Sequence, residues 1–246
     1  MKGYGVTDVG RSRNTNQDYI FYSEAPVGML PNLFIVADGM GGHKAGDYAS
    51  SYCVKRFIEL ASSIQEPHIV LLLGKIIEQI NEEIYEFARE NEDFAGMGTT
   101  IVVAVIEEQT MYVMNIGDSR LYVIGDEIVQ ITMDHSYVEE LIRNGVDKEL
   151  VKNHPEKHKI TRAVGAEKKV KPDFFEVSLN ENDKVLLCSD GLTNMVDDDE
   201  IMEIVQEEKI AENIVNRLIT RANFYGGRDN ISAVLIMEQG SEVTVC

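Results

Sequence analysis

Apolar positions along the chain fall into two kinds of pattern. Short apolar or alternating runs read as strands at Leu33–Ala37, Thr99–Ile106, Met111–Ile116, Leu121–Ile124, Ile128–Thr132, Phe174–Ser178, Lys184–Cys188 and Ile231–Met237. Many are joined by short turns, which suits antiparallel pairing. Three longer stretches carry helical spacing. Residues 45–64 repeat at Ala49, Cys53, Phe57, Leu60, Ala61 and Ile64. Residues 69–90 place Leu72, Leu73, Ile76, Ile77, Ile80, Ile84 and Phe87 on one face, and residues 199–223 do the same with Ile201, Ile204, Val205, Ile214, Val215, Leu218 and Ile219. The acids Asp197–Glu200 before the third helix read as an N-cap with favourable helix-dipole charge. Strands in runs, with helices between the runs, predict layered α+β architecture rather than a parallel βαβ wheel.

Residues 137–160 interrupt this pattern. They are polar, weakly helical in part, and lie between two apolar stretches. The reading is a solvated surface flap, a subdomain of about 137–165. His154 and His158 stand four apart there, but Pro155 separates them and no acid partner is evident.

The chain of 246 residues is long enough to bury a sizeable core. No linker, repeat or low-complexity segment divides it, so a single domain over 1–246 is expected. No apolar run approaches the length needed to span a bilayer. The start lacks the apolar segment of a signal peptide, and Cys53, Cys188 and Cys246 are scattered and odd in number. Reduced thiols in a cytoplasmic protein are expected. A net charge of −19 disfavours nucleic acid and anionic membrane as partners. Nothing suggests an obligate oligomer, and a monomer is expected.

Candidate chemistry begins at "FIVADGMGGHKAGDYAS", residues 34–50. The apolar run should end at Asp38, with a glycine-rich turn and then a helix. Three readings compete: a phosphate cradle, a metal site and a plain tight turn. The Walker pattern fails, because Ala45 stands where its Ser or Thr should be. Four more aspartates recur at strand ends: Asp18 in "NTNQD", Asp118 in "NIGDSRLYVI", Asp190 in "VLLCSDGL" and Asp229 in "YGGRDNISAVLI". Each alone is ordinary turn chemistry. If the strand ends converge, the carboxylates repel unless protonated or bridged by cations. Hard divalent ions with oxygen ligands, Mg²⁺ or Mn²⁺, are the natural occupants, and zinc is disfavoured without a Cys/His cluster. Such ions also reconcile an acidic chain with phosphate chemistry.

The ordered set "SRNTNQD", "VADGMGGHKAG", "GMGTT", "NIGDSRLYVI", "ITMDHSYVEELIRNG", "ITRAVG", "LLCSDGLTNMV" and "GGRDNISAVLI" closely resembles the metal-dependent Ser/Thr protein phosphatases of type 2C, in particular their compact bacterial members. The resemblance spans almost the full length. It implies a four-layer α/β/β/α sandwich with two central antiparallel β-sheets flanked by helices, and two Mn²⁺ or Mg²⁺ ions in a cleft at one end. By motif match, Asp38 bridges both ions, the Gly39 carbonyl is a ligand, and Asp190 and Asp229 complete the carboxylate set. Asp118 with Asp190 matches the ligands of a third, looser ion, and Asp18 matches an acid that holds metal waters. Arg13 matches the arginine that grips the substrate phosphate.

The implied reaction is attack on phosphorus by a hydroxide shared between cations about 3.5–4 Å apart, with no protein nucleophile. Arg13 offers a planar fork to phosphate oxygens, and His43 stands where the leaving serine or threonine oxygen would be protonated. The implied partners are phosphorylated proteins, including a bacterial Ser/Thr kinase and its substrates. Asn230 is read as orienting a ligand or phosphate, or as a cap beside Asp229. Arg162 is read as a structural salt bridge in preference to a group reaching the cleft, "GMGTT" as a close approach to the cleft before a core strand, and Cys188 as core packing. Two departures stand out: Gln17 replaces the usual Glu before Asp18, and Lys157-His158 replaces the usual Arg-Asn at the flap's end. The rival readings are a two-metal phosphodiesterase or nuclease, which the acidic surface disfavours, and a phosphoprotein-binding module, which the retained aspartates disfavour.

Overall fold

The computed structural model describes residues 1–42, 45–151, 154–156 and 159–238. In chain order the strands β1 (Lys2–Asp8), β2 (Asp18–Ser23) and β3 (Leu33–Met40) precede helices α1 (Ala45–Ser63) and α2 (Ile69–Glu90). Strands β4 (Gly98–Thr99), β5 (Ile101–Glu107), β6 (Thr110–Ile116), β7 (Arg120–Ile124) and β8 (Ile128–Gln130) follow, then short helices α3 (Tyr137–Arg143) and α4 (Lys148–Val151). The remainder is β9 (Asp173–Ser178), β10 (Lys184–Cys188), α5 (Asp190–Thr193), α6 (Asp198–Glu207), α7 (Ala211–Phe224) and β11 (Ile231–Met237).

These strands form two antiparallel sheets. One runs β1-β11-β10-β7-β8; the other runs β2-β3-β5-β6-β9, with β4 paired to β3. Three apolar layers fix the stacking. Phe34, Val36, Val102 and Val113 of one sheet meet Leu121, Leu187, Val234 and Ile236 of the other. The alternate residues Ile35, Val103 and Val105 turn outward onto α1 and α2. Leu186, Ala233 and Leu235 turn the other way onto α6 and α7. Both faces of each sheet are therefore covered, which is why the central strands read as unbroken apolar runs rather than as alternations. The four-layer α/β/β/α sandwich is the observed architecture.

Several elements differ from the sequence expectation, among them a shorter β8 that ends at Gln130 rather than Thr132. The helix expected over 199–223 is two helices, because Glu208 is extended (φ −119°, ψ 149°). Its carboxylate accepts the Lys209 and Ile210 amides in the turn ahead of α7, while the Lys184 ammonium donates to the Val205 and Glu208 carbonyls at the end of α6. The apolar stripes of both pieces still face the sheet. Strand β1 had no apolar signature, yet it pairs with β11 along its whole length. Its glycines serve close packing: a Cβ at Gly3 would stand 2.8 Å from the Phe34 ring. Finally, the run expected over Thr99–Ile106 breaks at Thr100, whose amide donates to the Asp38 carbonyl at 2.8 Å.

The polar stretch after residue 136 starts and ends at a chain pairing, Ser136 with Ile160, and Thr99 pairs with Val164 just beyond it. Ser136 caps α3 by accepting the Glu139 amide, and only Val151 among the helical residues of α3 and α4 is buried. Asp197 caps α6 through the Glu200 amide, as its sequence context suggested.

Candidate metal centre

Strand β3 does not stop at Asp38. It continues through Met40, with Gly39 and Met40 paired to Thr99 and Gly98. Asp38 is fixed from three sides: its amide donates to Thr100 Oγ1 at 3.0 Å, and its carbonyl accepts Thr100 N–H and Thr99 Oγ1. Its side chain lines a cleft of about 600 Å³. Directly across the β2–β3 ladder stands Asp18. Like charges opposed on a ladder are unfavourable, so this pair demands a counter-charge or a proton.

The second sheet brings the other acids to the same cleft. Asp190 opens the short helix α5 just beyond β10, and Asp229 lies just before β11. Asp118 sits in the turn between β6 and β7 and also lines the cleft. That turn is tied to Asp38: Ser119 Oγ lies 2.7 Å from Thr100 Oγ1, and Gly117 (φ 107°) passes so near Thr100 that a Cβ would come within 2.5 Å of it. Thr100 thus links two of the carboxylate-bearing turns, a role the "GMGTT" text hinted at only as close approach.

Burial and mutual repulsion act on the protonation of these acids. Asp18 is pushed up to about 7, first by burial and then by Asp190 and Asp229, although hydrogen bonds from Ser232 and Ser189 oppose the shift. Asp118 is pushed up to about 8 by burial and by Asp190 and Asp134. Asp38 is raised well above the usual carboxylate range by burial and by Asp18, Asp190, Asp118 and Asp229. Asp18 Oδ2 accepts the Ser189 hydroxyl at 2.7 Å, while its buried Oδ1 has no hydrogen-bond partner. Among the described residues these acids do not close into a tight cage; they ring an open cleft. An all-oxygen, mutually repelling donor set with room for water fits hard divalent cations that keep part of their hydration.

The arginine and amide groups complete the picture. Arg13, half-exposed, donates from Nη2 to Asp229 Oδ2 at 2.8 Å. Asn230 is buried and holds the segment carrying Arg13: its Oδ1 accepts the Gln17 amide at 2.9 Å, and its Nδ2 donates to the Val9 and Thr15 carbonyls. It is a clamp on the chain rather than a ligand-orienting group or a cap. Gln17 lines the cleft beside Gly39, whose amide donates to the Gln17 carbonyl. Arg162 pairs with Asp173 at 3.0 Å, a structural salt bridge as read from the sequence, and Cys188 is core. His43 and Lys157-His158 lie outside the described residues. Sequence reading missed His135, which is buried and accepts the Gly117 amide at Nδ1, bracing the Asp118 turn. Its place in "MDHSY", just before the flap, was the available signal.

Residues 2–231 match the family described as protein phosphatase 2C. The chain belongs to that family. It is 40% identical over 253 residues to the serine/threonine phosphatase stp of Listeria innocua, covering 97% of this chain and 98% of that protein. It is 38% identical over 242 residues to the protein phosphatase PhpP of Streptococcus pneumoniae, covering 94% and 95%. The crystal structure of the serine/threonine phosphatase Stp1 from Staphylococcus aureus superposes with a TM-score of 0.89 at 36% identity, covering 97% of this chain and 95% of that one. The chain is thus a metal-dependent serine/threonine phosphatase of the 2C family. No helix among the described residues is long and apolar enough to cross a membrane.

Proposed function

We propose that the chain removes phosphate from phosphoserine and phosphothreonine in proteins at the cleft between its two sheets, working as one catalytic domain with residues 137–165 as its flap. One observation carries this reading. Four aspartates from separate segments line a single water-accessible cleft, and a fifth, the buried Asp18, opposes Asp38 across one ladder, a concentration of like charge that favours cations there. Asp38, the Gly39 carbonyl, Asp190 and Asp229 would hold two Mn²⁺ or Mg²⁺ ions, Asp118 with Asp190 would hold a third, and Asp18 would accept hydrogen bonds from their water shell. When bound, such ions neutralise phosphoryl charge and bring the pKa of a water nucleophile towards neutrality.

The protein's own groups do the rest. Arg13 leaves Asp229 to fork onto phosphoryl oxygens, its half-exposed side chain leaving it free to turn. Thr100 and Ser119 keep Asp38 and Asp118 in fixed relation, and Asn230 keeps the Arg13 segment against the cleft floor. His43 gives its proton to the departing seryl or threonyl oxygen. Gln17 can orient a water but adds no charge, which lowers metal affinity relative to a glutamate. A bacterial Ser/Thr kinase and the proteins it modifies are the natural partners of such an enzyme, and a monomer in the cytoplasm is the expected form.

Hydrolysis of a phosphothreonine peptide at neutral pH, with Mn²⁺ and with EDTA, tests the reading. Phosphate release that requires Mn²⁺ supports it. A folded protein inert with every divalent ion would transfer the reading to a phosphoprotein-binding module.

A further inference from the structure

The cleft opens sideways into two further hollows. It shares Asn194 with one, and Met40 and Ile160 with the other. Their charges differ. Four aspartates line the cleft itself against Arg13 and Arg228. Four carboxylates line the Asn194 hollow against Arg120 and Lys148. The third hollow, a groove of about 420 Å³, reverses the balance: Arg162, Lys169 and Lys171 line it against Glu167 alone. In a chain of net charge −19 this surplus of cations beside the cleft stands out.

Arg162 is tied to Asp173, so Lys169 and Lys171, both exposed, are the cations the groove presents. They do not ride on a loose loop. The buried Asn81 donates to the Glu167 and Lys168 carbonyls and accepts the Gly165 amide at 2.8 Å. Gly165 takes φ 83° against α2, where a Cβ would stand 2.1 Å from Ile84, and Val170 packs on the core between the two lysines. The loop is pinned ahead of the two lysines by Asn81 and between them by Val170.

We propose that this groove receives the part of a phosphoprotein adjoining the phosphorylated residue and selects an anionic side chain there, a carboxylate or a second phosphoryl group. The inference rests on the phosphatase reading of the cleft. Continuity through Met40 and Ile160 brings a neighbouring residue of a bound peptide into the groove. The Debye length of about 8 Å at physiological salt screens the distant acidic surface but not an ammonium in contact. Lysine, a compact point charge, accommodates carboxylate and phosphate alike. The acid-rich Asn194 hollow repels the same flank, so charge also sets the direction in which the peptide lies.

The test compares phosphothreonine peptides that carry glutamate, a second phosphothreonine, glutamine or lysine on each side in turn. The readout is the ratio of kcat/KM for the anionic over the glutamine peptide, which cancels any difference in the amount of folded enzyme. The expected wild-type ratio is on the order of tenfold, the effect of two exposed ion pairs, shrinking in 1 M salt. Lys169→Glu/Lys171→Glu should abolish the preference or invert it towards the lysine peptide. A response to the second phosphoryl alone would assign the groove to multiply phosphorylated segments; a response to glutamate as well would assign it to acidic segments in general. A wild-type ratio near one, or a ratio unchanged in the double variant, overturns the proposal while leaving the phosphatase reading intact. Failure of the wild type to hydrolyse any peptide overturns that reading instead.

Discussion

Replacing Asn230 by alanine deletes three hydrogen bonds at once. Its side chain is 3% exposed, and its partners are the Gln17 amide and the Val9 and Thr15 carbonyls, at 2.9, 2.9 and 3.0 Å. Each bond contributes about 0.5–1.5 kcal/mol net, and a stranded partner out of reach of water adds to the loss. Val9 is partly exposed, so water compensates there and keeps the sum near about 3 kcal/mol. Urea unfolding in EDTA, extrapolated linearly, measures that change. A second readout follows from position. Arg13 lies between the two carbonyls that Asn230 holds, so the variant should also raise KM for a phosphopeptide. A loss below about 1 kcal/mol with KM unchanged would refute the clamp. It would mean that the segment is held instead by the bonds from the Arg11 and Ser12 amides to the Gly227 carbonyl.

Three further outcomes are expected. Asp38→Asn should weaken Mn²⁺ binding by calorimetry and abolish turnover; near-normal turnover would remove Asp38 from the bridging role. Arg13→Ala should raise KM for phosphopeptide far more than it disturbs Mn²⁺ affinity, and a collapse of affinity would make Arg13 structural. The raised carboxylates give a pH dependence. Asp18 and Asp118 titrate at about 7 and about 8 in the folded chain, above their unfolded value, so the stability they contribute is complete in acid and lost as pH rises through those values. The Tm of the metal-free protein should therefore fall between pH 6 and pH 8.5, and the rise in Tm on adding Mn²⁺ should grow over the same interval as protons cease to compete. An equal rise at both pH values would exclude these acids from cation binding.

Much of the site was legible because its residues sit at punctuation points. Asp38, Asp118, Asp190 and Asp229 each stand where an apolar run meets glycine or a turn, and the sandwich brings those points to one end. The inward and outward alternation within β3 and β5 was hidden, because both faces are buried and both are apolar. The supports were harder to read. Ser189, Thr100, Asn230 and His135 act through partners far off in sequence, and nothing local distinguishes a buried hydroxyl or amide from a solvated one. Strand β1 escaped notice for the same reason: Gly3 and Gly5 weaken its strand signal, and their value lies in what packs on them from β2 and β3. The break between α6 and α7 was invisible to periodicity, since both halves keep one apolar face. The turn at Glu208 and Lys184, reaching in from β10, decide it.

The pairing of β1 with β11 has a consequence in time. The Gln17 amide and Asn230 side chain that join the two sheets at the site are 213 positions apart, and Asp229 follows the other four aspartates in the sequence. A growing chain has every earlier aspartate in place yet no closed sheet to hold Asp18, Asp190 and Asp229 together. Such long-range closure is slow to form. A chain without β11 should therefore be inert, and dephosphorylation should begin only when that strand docks. Ribosome-arrested chains ending before Ile231 should bind no Mn²⁺ tightly, and activity should appear only in chains in which β11 is free to pair.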